Sequence, residues 1–87
     1  MINKAMIRYI KKRLGPEGLQ FFRDLHKKYG KVDVCYRVGK IPHPVHLREG
    51  MVVRNYLRES GLCRNWTAHD YDNNWSEVVE RALFWSP

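Results

Sequence analysis

Val32-Asp33-Val34-Cys35-Tyr36-Arg37-Val38-Gly39-Lys40-Ile41-Pro42-His43-Pro44-Val45 is the stretch whose reading decides the fold class. Val32, Val34, Tyr36 and Val38 alternate with Asp33, Cys35 and Arg37, which is the period-two pattern of a half-buried strand. Gly39-Lys40 suits a two-residue hairpin turn of the Gly-X kind. The return segment Ile41 to Val45 carries two prolines, and proline has no N–H to give to a ladder. Pro42 and Pro44 are two residues apart, so the missing donors face the same edge. If Val38 pairs with Ile41, the donors come from Ile41, His43 and Val45, and the prolines sit on the open edge. The competing reading is an extended, polyproline-like connector.

On both sides of this stretch the period becomes helical. Residues 3–14 place Ile2, Ala5, Met6, Tyr9, Ile10 and Leu14 on one side at about 100° per residue, with Lys4, Arg8, Lys11 and Lys12 opposite. Gly15-Pro16 stops that helix and starts a second, residues 16–29, because proline suits a first helical position. The second helix buries Leu19, Phe22, Leu25 and Tyr29 and turns Arg23 and Lys27 outward. A third helix, residues 45–59, has Leu47, Met51, Val52, Val53, Tyr56 and Leu57 around most of its circumference, the pattern of a central, largely buried helix. Gly50 inside it implies a close approach by another backbone, since glycine costs a helix about 1 kcal/mol relative to alanine. Residues 62–72 look irregular, with Trp66 as an anchor. A fourth helix, residues 74–85, places Trp75, Val78, Val79, Ala82 and Leu83 at i, i+3, i+4, i+7 and i+8, opened by Asn74 with Glu77 as a capping pair. The expected fold is α+β, mainly α: about four helices with a short β-hairpin or strand pair near residues 32–45, in a single domain spanning 1–87.

Charge is the strongest global signal. The 87 residues hold 16 Lys and Arg against 9 Asp and Glu, a net +7. Residues 1–40 contribute eleven bases and three acids, a balance of +8; residues 41–87 contribute five bases and six acids, a balance of −1. Such asymmetry favours an anionic partner for the first half. Lys4, Arg8, Lys11, Lys12, Arg23 and Lys27 are the residues expected to contact phosphates, where each bound cation releases a condensed counterion. The competing reading is a solvated outer face, where any soluble helix places charge. No zinc finger, ribonucleoprotein motif or helix-turn-helix signature accompanies the charge.

Other classes find less support. No run of about 18 apolar residues is present, so no membrane partner is expected. The N-terminus lacks the apolar core of a secretory signal, which points to the cytoplasm. Two cysteines, Cys35 and Cys63, make neither a disulfide framework nor a metal-ligand pair, and read as reduced structural thiols. Arg64 beside Cys63 supplies the one neighbouring cation that would lower a thiol pKa. His43, His46 and His69 with Asp70 and Asp72 include the ligand types zinc accepts. Pro44 lies between the first two histidines and no protease-type Glu follows, so neither metal nor cofactor is expected. No nucleophile with a base at a recognisable spacing argues for an enzyme. A polar cluster of His46, Arg48, Glu49, Arg54 and Asn55 reads either as a structural network or as a ligand site. An aromatic set, Trp66, Trp75, Phe84 and Trp85, supports the alternative of a protein-interaction or regulatory accessory module, including self-association.

Gly50-Met51-Val52-Val53-Arg54-Asn55, with Asn73-Asn74-Trp75-Ser76 and the apolar helix after it, resembles a small bacterial domain family of unknown function. That family shows a Gly-Met-x-(Ile/Val)-Arg-Asn helix and a later Asp-Asp-x-Ser helix start. The likeness spans His46 to Leu83 and implies a shared helical core without an activity. Asn73 and Asn74 stand where the family has an acidic pair, so an acid role does not carry over.

Overall fold

A computed structural model describes residues 2–84 of the chain. In order these form α1 (Lys4–Tyr29), β1 (Cys35–Val38), β2 (Ile41–Pro44), a 3-10 turn (Val45–Leu47), α2 (Glu49–Ser60) and α3 (Ala68–Phe84). The class is α+β and mainly α, with three α-helices among the described residues rather than about four. The two N-terminal segments expected to be separate run on as α1, broken only at Gly15 (φ 69°, ψ −178°). That positive φ is open to glycine and strained for other residues, and Pro16 then fixes the first φ of the second arm.

The break is a sharp one. Ile2, Asn3, Lys4 and Ile7 border Arg81 of α3, while Gln20, Arg23, His26 and Lys27 border Phe84, three residues further on. In a straight helix Lys4 and Lys27 would stand about 35 Å apart, whereas Arg81 and Phe84 are within about one turn of each other. The arms of α1 therefore fold toward each other, with their open ends at the last turns of α3. α2 lies at the bend: Arg13 pairs with Glu59 at 2.9 Å and lies 4.3 Å over the Tyr56 ring.

The hairpin has the expected register, Val38 opposite Ile41, then Arg37 opposite Pro42, Tyr36 opposite His43 and Cys35 opposite Pro44. In an antiparallel pair, hydrogen-bonded and non-bonded positions alternate. Both prolines fall on non-bonded positions, and Val45 N–H donates to the Val34 carbonyl at 2.8 Å. The alternation of burial fades toward the tip: Val32 and Val34 are buried, Tyr36 is half-buried, and Val38 is 57% exposed.

The core is one cluster drawn from all three helices. Trp75, Phe22, Ile10, Leu57, Val53, Val78 and Val79 are its largest fully buried members, with Val32 and Val45 from the hairpin's base. Burying each large apolar side chain contributes roughly 2 kcal/mol. On α1 the buried side is Met6, Ile7 and Ile10, then Leu19, Phe22 and Leu25. Ala5, expected inside, is exposed, and Tyr29 is at the surface. The third helix starts at Glu49 rather than at 45, after the 3-10 turn. It is not buried all round as expected: α2 packs through Gly50, Val53, Arg54 and Leu57 and leaves Met51 and Val52 in solvent, as the turn leaves Leu47. α3 begins at Ala68, six residues before the expected start. Thr67 and Asp70 cap it reciprocally, Thr67 N–H to Asp70 Oδ2 at 2.8 Å and Asp70 N–H to Thr67 Oγ1 at 3.2 Å. The expected Asn74–Glu77 cap is instead mid-helix. The positions of Trp85 and Pro87, and the expected helix end at 85, lie outside the described residues.

Candidate functional site

Two regions hold the residues that the sequence singles out. The first is the outer face of α1. Arg8, Lys12, Arg23 and Lys27 are exposed and Lys11 is half-buried. Among the described residues, no carboxylate comes within ion-pair distance of any of these five. Lys4, also exposed, has a partner of its own. Other arginines are mostly held: Arg13 of α1 by Glu59, Arg48 by Glu49 at 3.8 Å, Arg54 by Asp72 at 3.5 Å and Arg81 by Glu77 at 3.1 Å. Because α1 folds back at Gly15, the Lys4 end of one arm and the Lys27 end of the other approach the same end of α3. The second arm is the more mixed of the two. Asp24, which accepts from the Gln20 amide at 2.8 Å, stands between Arg23 and Lys27.

The second region is the polar set on the 3-10 turn and α2, which the structure splits three ways. His46 and Arg54 turn toward α3. Trp75 Nε1–H donates to His46 Nδ1 at 3.3 Å, and the Arg54 guanidinium lies 3.2 Å from His46 Nε2. Asp33 Oδ2 is 3.5 Å from Nδ1, and Asp72 receives the other side of Arg54. A neutral imidazole offers one acceptor nitrogen and one donor. Two donors and a carboxylate compete for those two positions, and both ring nitrogens are engaged inside the protein. Arg54, at 6% exposure, is the one buried charged residue among those described. Gly50, one turn before Arg54, makes room for the same indole: a Cβ there would lie 2.7 Å from Trp75 Cζ2. The close approach expected at Gly50 is thus to a tryptophan ring rather than to a backbone.

Arg48 and Glu49 turn the other way, toward the hairpin. Tyr36 O–H donates to Glu49 Oε1 at 3.2 Å, and Arg48 reaches His43 Nδ1 at 3.4 Å. His43 stacks on Tyr36 with centroids 5.7 Å apart. Burial and the Glu49 carboxylate raise the Tyr36 phenol above its ordinary value. Asn55 faces solvent and accepts from Arg58 at 3.3 Å.

The histidines do not converge. His43 meets Tyr36 and Arg48, His46 meets Trp75 and Arg54, and His69 meets Asn73 at 2.8 Å. Among the described residues, no three His, Cys, Asp or Glu side chains are grouped to hold a metal ion. Cys35 is exposed rather than buried, and Cys63 is buried; both are free thiols. Burial pushes the Cys63 thiol up, which reverses the lowering expected from Arg64. Cys35, Asp33 and His46 border one depression of about 440 Å³. The imidazole nitrogens there are directed at Trp75, Arg54 and Asp33, and no contact joins them to the thiol.

What sequence reasoning missed is Trp75 as the ring that Gly50 and His46 both meet, with Asp33 against His46 and Asp72 against Arg54. The readable signal was Gly50 and Arg54 at i and i+4, which place a gap and a charge on one helix face. No family model, curated protein or solved structure matches the chain. Among the described residues, no helix is long and apolar enough to cross a membrane.

Proposed function

We propose that the chain is a small basic binding module that contacts nucleic acid, or another polyanion, through α1. The observation that carries this is the set of α1 bases, Arg8, Lys11, Lys12, Arg23 and Lys27, standing without carboxylate partners among the described residues. A base already paired inside the protein must break that pair to take a phosphate, whereas these need only release solvent and counterions. The module would work in the cytoplasm, without a cofactor. In this reading the second half is scaffold, and its likeness to the Gly-Met-x-(Ile/Val)-Arg-Asn family is part of the proposal. The scaffold role is supported by Gly50 packing on the Trp75 ring and by Arg54 reaching that ring through His46. An electrophoretic shift titration at low and moderate salt tests the function. Retardation at low salt that weakens steeply at moderate salt is expected. No retardation at micromolar protein in low salt removes the proposal.

A protein-interaction role keeps one supporting observation, which has moved from aromatic to mainly aliphatic residues. Trp75 is fully buried, but Val38, Ile41 (64%), Leu47 and Phe84 (65%) are exposed. Sedimentation at two concentrations tests self-association, which should raise the mass at the higher one.

A further inference from the structure

We infer that the depression between the start of α1 and the loop joining α2 to α3 takes an unpaired nucleobase, which makes single-stranded nucleic acid the preferred polyanion. This rests on the binding reading above and narrows it. The depression is about 450 Å³, and Asn3, Arg64, Asn65, Trp66 and Asp70 are on its wall. That size falls within the range of small-ligand sites. Trp66 is half-buried and packs edge-on with Tyr71, centroids 5.3 Å apart, so its ring is held in place.

Several polar groups in the wall have no partner among the described residues. Among the described residues, the Trp66 indole N–H and the side chains of Arg64 and Asn65 have no hydrogen-bond or ion-pair partner. Asn3 uses its Oδ1 to cap Met6 N–H at 3.0 Å, which leaves its amide N–H₂ to donate. Asp70 holds Thr67 N–H through Oδ2 alone.

Charge decides which part of a nucleotide enters. The Asp70 carboxylate disfavours a phosphate inside the depression, while the exposed Arg64 guanidinium favours one beside it. A flat ring with donors and acceptors on its edge suits a tryptophan flanked by amides and a carboxylate, and stacking on such a ring tolerates any base. In a duplex the bases are stacked and their pairing edges occupied, so only an unpaired base can use this wall. Asn3 directly precedes Lys4, so the depression lies at the N-terminal end of the basic helix, where a strand tracking along α1 would pass.

The test follows intrinsic tryptophan fluorescence of the full chain at low salt. The probes are a single-stranded oligonucleotide, its duplex, and an inorganic polyphosphate of matched charge. The single strand is expected to quench the Trp66 signal and to bind at least about fivefold tighter than the duplex, by one stacked base. Trp66→Phe should lose the quenching. Arg64→Ala with Asn65→Ala touches no internal bond, so the fold is kept; it should abolish the preference while duplex binding persists. Equal binding of single strand and duplex without quenching overturns the base site and leaves the basic module standing. No binding to any of the three overturns both.

Discussion

On α1, Arg8 and Lys12 stand in solvent with no carboxylate in reach; on α2, Arg54 lies buried between His46 and Asp72. Both are cations on amphipathic helices, yet they do different work. A buried guanidinium is tolerated only when its donors are met, so Arg54 fixes how α2 seats on α3 and cannot be offered to a ligand. An exposed base on α1 contributes almost nothing to stability and is free for a phosphate. Net charge alone does not separate these roles. The separation comes from which acids the fold brings close: Glu59, Glu49, Asp72 and Glu77 meet Arg13, Arg48, Arg54 and Arg81.

The comparison breaks most visibly at Arg54. Arg54→Ala leaves His46 and Asp72 without this partner and a gap at a buried position, so a loss of about 2–3 kcal/mol is expected. Arg8→Ala in the same urea titration should change stability by less than about 0.5 kcal/mol. Equal effects would mean that the two cations are not differently used. Gly50→Ala sharpens the α2 side. It drives a methyl into the Trp75 ring and should cost about 1–3 kcal/mol through overpacking. A neutral or stabilising result, as glycine-to-alanine gives at an open helical site, would show that the helix and indole are not in contact.

A smaller effect is expected at alkaline pH. Cys63 has its folded pKa raised by burial. Its contribution is therefore fully present below the ordinary thiol value and is lost as pH rises through the folded value. Stability should fall from about pH 9 upward, and Cys63→Ala should lessen that fall, as read by thermal unfolding across pH. A thiol reagent at neutral pH should modify exposed Cys35 quickly and reach Cys63 only on unfolding.

The hairpin was readable because its chemistry is local: two prolines at i and i+2 admit one edge, and Gly39-Lys40 fixes the pairing of Val38 with Ile41. The α1 bend was half readable. Gly15-Pro16 announces a break, but its angle depends on where the far ends meet Arg81 and Phe84. The early start of α3 had its own mark, Thr67 and Asp70 three apart, which the polar run that follows obscures. Burial around α2 was misread because Leu47, Met51 and Val52 look like core residues when neighbours are unknown. The Arg54 seat joins residues 33, 46, 54, 72 and 75, and no spacing rule links those positions.

The salt dependence of nucleic-acid binding, compared between the natural chain and an Arg8→Glu, Lys11→Glu, Lys12→Glu variant, bears most directly on the role given to α1. The slope of log affinity against log salt should shrink by about 2–3 in the variant, roughly 0.7–0.9 for each lost phosphate contact, while the unfolding midpoint stays in place. An unchanged slope with unchanged stability would contradict that role and return the α1 bases to a solvated face.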